Sequence, residues 1–305
     1  MALSTTQIDT NRGTSGIVLP LELANEVWGK VPEESAIMQL APRIDIPGSG
    51  ETVPLITAEP TAAWVTESTE KAVSKATLSN KTIKAYKLSV IELFSNEFRR
   101  DMPRVYDELV RRLPRSIGKK FDETVFKGIT PGTGFDVLTS ATAVSIAGAN
   151  GGAVYQNIVT AFTTVGAQGY AANGWVVAPQ AMAVLLSAID GNGRPLFIDS
   201  IRDDNRVGMI LGGEVINSSH VYAAGASGNP ATPNQVGIAG DWNQARWGYV
   251  NPGLTVAISD QATINDGTNQ VNLWQRNMFA VRVECEIGFA AFDANAFVRL
   301  TTPYS

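Results

Sequence analysis

One histidine, His220, and one cysteine, Cys285, stand in the 305-residue chain, so little acid–base or nucleophilic chemistry is open to it. A nucleophile–His–acid system would have to use His220, in Asn217-Ser218-Ser219-His220-Val221, and the chain offers no G-x-S-x-G elbow for the nucleophile. His220 reads as a loop or strand-edge residue. Cys285 falls on the apolar face of a strand, where a thiol behaves as a small hydrophobe, and alone it closes no intrachain disulfide. A zinc site of four Cys/His ligands is excluded, which leaves only carboxylates to hold a metal. The glycine clusters Pro131-Gly132-Thr133-Gly134, Gly191-Asn192-Gly193 and Gly212-Gly213 lack the Lys-Ser/Thr of a P-loop and the strand-to-helix setting of G-x-G-x-x-G. They read as turns. Glu284 and Glu286 share one strand face, but Arg282 shares it too, which favours an interfacial ion pair over general acid–base work. No catalytic residue, cofactor site or metal site is expected.

The elements carrying these residues divide by charge. Residues 1–127 hold 17 of the 24 basic and 17 of the 29 acidic side chains, and residues 128–305 hold 22 of the 28 glycines and the whole net charge of −5. That pattern describes a densely charged, partner-facing first part and a turn-rich, weakly charged second part. A net negative chain has no global basic field for tight, sequence-independent binding to DNA or to an anionic membrane. The first 16 residues show no secretory signal, and the most apolar window, 175–189, is too short to span a bilayer, so synthesis and assembly in a cytoplasm are expected.

Within the first part, Pro20 with Leu23, Val27 and Trp28 predicts a short helix over 20–30. Two extended stretches, 51–66 and 76–93, flank the polar segment 67–75 and predict a long β-hairpin arm. An isolated hairpin buries too little to be stable in water, so an arm bearing Trp64, Val65, Ile83 and Tyr86 should dock, on its own domain or on another subunit. Its charged tip, with Glu59, Glu67, Glu70, Lys71 and Lys75, suits a wet, polar contact. Asp101 as cap and Pro103 just inside predict the start of a long helix. Along it Val105, Leu109, Leu113, Ile117, Phe121 and Val125 recur every four residues, Pro114 should kink it, and Gly128 ends it. Nine basic residues (Arg99, Arg100, Arg104, Arg111, Arg112, Arg115, Lys119, Lys120, Lys127) face five acidic ones over 99–127. Such a run is either a solvated face or a docking face for an acidic segment.

The second part reads as mixed α/β, with helices at 154–165 and 179–189 and strands at 175–177, 209–217, 235–239 and 296–300. Phe279, Val281, Val283, Cys285, Ile287 and Phe289 alternate with Arg282, Glu284 and Glu286 along a further strand.

Taken in order, these features resemble the major capsid proteins of tailed bacteriophages, the Hong Kong 97-type fold that encapsulin shells share. The resemblance rests on Ala62-Ala63-Trp64-Val65-Thr66-Glu67, Leu93-Phe94-Ser95-Asn96-Glu97-Phe98-Arg99-Arg100-Asp101 and Phe121-Asp122-Glu123-Thr124-Val125-Phe126-Lys127-Gly128 with Pro131-Gly132-Thr133-Gly134-Phe135. Gly174-Trp175-Val176-Val177-Ala178-Pro179, Asp190-Gly191-Asn192-Gly193-Arg194-Pro195, Leu211-Gly212-Gly213-Glu214-Val215, Gly240-Asp241-Trp242, Arg282-Val283-Glu284 and Ala296-Phe297-Val298 extend it. It covers about 17–301.

The resemblance implies an α+β fold with an N-terminal arm (1–47), an extended β-hairpin loop (48–93), a peripheral domain with a long spine helix (94–136 and 273–305) and an axial α/β domain (137–272). It implies pentamers and hexamers of an icosahedral shell enclosing double-stranded DNA in a virion, with no membrane. Partners would be copies of the chain, a portal protein and a separate scaffolding or decoration protein. Intersubunit contacts are expected from Glu59, Trp64, Glu67, Glu70 and Lys71 of the loop, Arg99, Arg100, Arg104, Arg111, Arg112 and Arg115 of the spine, and Arg282 and Glu284. Family members often carry a cleaved scaffolding segment; fewer than 20 residues precede Pro20 here, so no trimming is expected. Lys71 or Lys75 with Asn277 or Asn295 match by type the Lys–Asn cross-link of some relatives, but such residues are common on surfaces and no cross-link is expected. The rival readings are an encapsulin-type compartment with protein cargo and a soluble α/β enzyme.

Overall fold

The computed structural model describes residues 35–304 apart from 68, 102, 190–193, 195–205, 229, 266 and 268. The side chains of 57–58, 99–100, 103–111, 113–114, 206–208 and 252, and the helix expected at 20–30, lie outside the described residues. Helix α1 (Ala36–Leu40) and strand β1 (Arg43–Asp45) lead to the hairpin strands β2 (Glu51–Ala58) and β3 (Thr77–Ile83). Strand β4 (Tyr86–Ser95), helix α2 (Asn96–Asp101) and the 25-residue spine helix α3 (Pro103–Lys127) follow. Next come β5 (Thr142–Ser145), α4 (Gly151–Gly166), β6 (Gly174–Val177), α5 (Pro179–Leu186), β7 (Arg206–Ile210), β8 (Gly213–Asn217) and β9 (Asn234–Gly240). The chain closes with β10 (Ala245–Ser259), β11 (Thr263–Asn265), β12 (Gln270–Asn272), β13 (Met278–Ala291) and β14 (Phe297–Thr302).

The alternation read at 279–289 forms the centre of a four-stranded sheet ordered β1-β10-β13-β4. Its apolar side chains, Phe279 to Phe289, are at most 2% exposed and face the spine helix, whose Ile117, Phe121, Val125 and Phe126 join the same core. Ring contacts knit the layers: Phe94 stacks on Phe279 at 5.6 Å, and Phe121 meets Phe289 edge-on at 6.4 Å. Arg282, Glu284 and Glu286 point the other way. Helix α3 starts at Pro103, as the proline signal requires, and runs on through Pro114. Asp101 closes α2 instead of capping α3. Gly128 follows the last helical residue and donates its N–H to Thr124 O at 3.1 Å.

A second, six-stranded sheet is ordered β5-β14-β9-β6-β8-β7, and α4 and α5 pack on it around Ile158, Val165, Trp175 and Leu185. Two strands cross the boundaries drawn from sequence. Strand β10, inside 137–272, pairs with β13 in the first sheet, and β14, inside 273–305, pairs with β5 and β9 in the second. The single strand expected at 209–217 is a hairpin, β7 and β8, turned at Leu211 and Gly212 with φ of 47° and 84°. Two positive φ values in succession suit a tight two-residue turn, where Gly212 carries no steric cost. The two units meet at Gln235, whose buried Nε2 donates to Phe126 O (2.9 Å), at the end of the spine helix, and to Val221 O (3.2 Å).

Candidate intersubunit interface

The hairpin arm is rooted firmly and then leaves the body. At its base Ile83 is buried with Ile46 and Ala290, and Gly50 turns the chain at φ 87°. Lys81 Nζ lies 2.7 Å from Asp136 Oδ2, Lys84 N donates to Gly134 O at 2.8 Å, and Tyr86 Oη donates to Thr133 O at 2.8 Å. Gly288 lets the root cross the sheet, since a Cβ there would stand 2.7 Å from Lys84 O. The extended stretch expected at 76–93 is therefore two strands: Thr77–Ile83 pairs within the arm, and Tyr86–Ser95 pairs with Met278–Ile287 in the main sheet. The break falls at Lys84 and Ala85, where the chain enters the core.

Beyond the root, β2 and β3 pair only with each other, Ile56 opposite Leu78 and Thr52 opposite Thr82. Ile56, Trp64, Val73 and Leu78 are 66%, 105%, 89% and 70% exposed. Glu59, Glu67, Glu70 and Lys71 are likewise exposed. The tip is held in shape by Thr61 N donating to Ser74 Oγ at 2.7 Å and by a 2.6 Å contact between the Thr66 and Thr69 hydroxyls. An arm so uncovered has no apolar burial of its own to hold it out in water.

On the body, the last turns of the spine helix and the edge strand β4 enclose a groove of about 590 Å³. Phe121, Phe135, Leu88 and Ile287 supply an apolar lining, and Lys87, Lys120 and Lys127 stand over it with Glu123. Lys127 also donates to Tyr222 O at 2.9 Å. Ile129, on the rim, is 89% exposed. Arg112 and Arg115 are exposed on the spine helix; Arg99, Arg100, Arg104 and Arg111 lie on α2 and α3, with side chains outside the described residues. Arg282 and Glu284 meet within the chain, Nε to Oε2 at 3.4 Å, beside a Lys87–Glu286 pair at 3.5 Å. The structure thus leaves the loop residues exposed on the arm and sets Arg112, Arg115, Arg282 and Glu284 on the body.

The side chains weighed for catalysis are placed otherwise. His220 sits in a one-turn 3-10 helix with Nδ1 3.5 Å from the adjacent Ser219 Oγ, the outer limit of a hydrogen bond. Partial burial, with help from Lys119, lowers its pKa from the usual value. Cys285 is 2% exposed, and burial pushes its thiol up to about 12. Among the described residues no group of three or more His, Cys, Asp and Glu is arranged to hold a metal, and no helix is long and apolar enough to cross a membrane.

One residue escaped the sequence reading. Asp122 is fully buried on the spine helix, where Oδ1 accepts from Ser35 Oγ (2.5 Å) and Oδ2 from Ala36 N (2.9 Å). Its charged neighbours Lys119, Lys120 and Glu123 disguise it; the signal that it faces inward is its place one residue after Phe121 and three before Val125.

A profile of the phage capsid family matches residues 15–302. The probable major capsid protein gp17 of Mycobacterium phage D29 is 30% identical over 295 residues, 93% of this chain and 90% of that protein. Its counterpart from Mycobacterium phage L5 is 31% identical over 296 residues, 92% and 88%. Among solved structures, a chain of Gordonia phage Cozz matches with TM-score 0.70 and 24% identity over 90% of this chain and 87% of that one. A chain from the capsid of the native GTA particle matches with TM-score 0.64 and 14% identity over 98% and 96%. At these identities the structural matches establish the shared α+β, Hong Kong 97-type fold, and together with the family profile and the mycobacteriophage relatives they lead to one assignment: the chain belongs to the phage capsid family, as a major capsid protein.

Proposed function

We propose that the chain self-assembles into pentamers and hexamers that close an icosahedral shell around double-stranded DNA, each subunit reaching its neighbour with the hairpin arm. The observation that carries this is the arm itself: a firmly rooted hairpin whose Trp64, Ile56, Leu78 and Val73 face solvent in the single subunit. A second copy supplies the missing cover. The groove beside the spine helix suits the tip in both respects, with an apolar lining for Trp64 and lysines for Glu59, Glu67 and Glu70. Arg112 and Arg115, with Arg99, Arg100, Arg104 and Arg111, would extend the basic track, and Arg282 and Glu284 would face a neighbour from the outer side of β13. Each exposed pair contributes about 0–1 kcal/mol, so Trp64 is the anchor and the charges set register. Closed symmetry multiplies many weak contacts into a shell.

In this reading the unit around the spine helix is peripheral and the six-stranded unit axial, no chemistry is catalysed, and the shell is a virion component assembled in the host cytoplasm. A portal protein and a separate scaffolding or decoration protein complete it. The net charge of −5 suits a wall that confines DNA without adhering to it. The phage relatives favour a genome as the cargo over the enzyme cargo of an encapsulin. Negative-stain microscopy of the expressed protein, with nucleic-acid analysis of particles from infected cells, tests the reading. Shells holding DNA are expected; a stable monomer, or shells holding only protein, would overturn it.

A further inference from the structure

We propose that Ser35 and Asp122 form a proton-controlled latch fastening the end of the N-terminal arm to the spine helix. The contact joins residues 87 apart in sequence, in a site where both side chains are fully buried. Asp122 accepts from the Ser35 hydroxyl and from the backbone N–H groups of Ala36 and Ile37, while Ser35 Oγ accepts from Met38 N at 3.3 Å. The pair therefore caps α1, a helix of five residues that is too short to hold itself. Releasing the carboxylate uncaps α1.

Among the described residues the groups acting on Asp122 are uncharged: one hydroxyl, two backbone N–H groups and the apolar packing of the core. Titratable groups on the surrounding elements are engaged elsewhere. His220 answers to Lys119, Glu123, Lys127 and Arg115; Glu92 of β4 responds only to its own burial; Asp136 is paired with Lys81. A buried carboxylate without a cation is costly to ionise, and burial raises the pKa of Asp122 from 3.8 to about 7 against the opposing effect of its hydrogen bonds.

The sign follows. An open latch exposes an aspartate titrating near 3.8, and a closed one an aspartate titrating near 7. Between those values the open form alone is ionised, so each unit of rising pH favours opening by about tenfold. Below 3.8 both forms are protonated and above 7 both are ionised, so the equilibrium is level outside the window. Within that window falling pH fastens α1 to the spine helix and rising pH loosens it.

Hydrogen exchange of the 36–41 amides in assembled particles, corrected for intrinsic exchange, tests the latch. Wild-type protection is expected to fall about tenfold per unit from about pH 5 to 7 and then level off. Asp122→Asn, which keeps the shape without the charge, should show the same protection throughout. A flat wild-type profile, or the same slope in Asp122→Asn, would overturn the proposal. If Asp122→Asn does not assemble, Ser35→Ala decides: removing the hydroxyl bond raises the carboxyl pKa further, so the levelling point must move to higher pH, and an unmoved point refutes the latch.

Discussion

Lys81, on the second strand of the arm, and Asp136, beyond the spine helix, meet at 2.7 Å, and the same Asp136 Oδ2 accepts from Ala291 N at 3.0 Å. One carboxylate thus ties the hairpin arm to the four-stranded sheet. The two side chains are about one-third exposed or less, so their attraction is only partly screened. Asp136→Ala removes the ion pair and leaves a backbone N–H without its acceptor, at a cost of about 1–3 kcal/mol; Lys81→Met removes only the pair, at about 1 kcal/mol or less. Denaturant titration of the unassembled subunit should rank them in that order. Equal losses would mean that Asp136 serves the arm alone.

Trp64→Ala separates folding from assembly. A side chain with full solvent exposure contributes nothing to the packing of its own subunit, so the melting temperature of the unassembled variant should match the wild type. Loss of a buried aromatic anchor typically costs about 2 kcal/mol or more per contact, and sedimentation should show few or no particles. Normal particle yield would remove Trp64 from the interface.

Charge exchange tests the pairing of tip and groove. With the tip seated in the proposed groove, Lys120→Glu would set a carboxylate against Glu67 and Glu70 and should reduce particle yield. Glu67→Lys combined with Glu70→Lys should reduce it too, and combining all three changes should restore part of it, a recovery that only coupled sites give. Strictly additive losses would place the tip elsewhere.

Gln235 fastens the two units together. Gln235→Leu leaves Phe126 O and Val221 O buried without a donor, and each costs about 1–3 kcal/mol. A drop in melting temperature of several degrees is expected by calorimetry; an unchanged one would show that both carbonyls find other partners.

Cys285 should be silent. Burial holds its thiol near pKa 12, so at pH 8 almost none is thiolate, and the group is 2% exposed. A disulfide reagent at pH 8 should label it only after denaturation. Rapid labelling of the folded subunit would place β13 outside the core.

Local pattern carried much of this architecture. The alternation around Cys285 and the four-residue spacing of Ile117, Phe121 and Val125 mark surfaces buried on one side only, and burial on one side is what a periodic sequence encodes. The split of 76–93 was hidden because Tyr86, Leu88 and Val90 continue the alternation of an extended strand; pairing with β13, a tertiary fact, decides where the arm ends. Strand β10 was hidden differently. Asn251-Pro252-Gly253 has turn composition, yet it is absorbed as a register shift between Tyr249 and Leu254, and the strand continues. The exposure of the loop was legible because Trp64 and its carboxylates sit in a stretch with nothing local to bury them. The groove was not legible, since Leu88, Phe121, Phe135 and Ile287 come from distant segments and converge only in the fold. Asp122 was obscured by composition, a buried acid among charged neighbours that reach water.

The central claim is that the arm finds its cover on a neighbouring subunit. A cryo-electron microscopy map of the assembled particle at side-chain resolution reads this directly. Trp64 should lie against an adjacent subunit, inside the groove bounded by Phe121, Lys120 and Ile287, with Glu67 or Glu70 within reach of a lysine. A map showing Trp64 in solvent, or folded back on its own subunit, would contradict it.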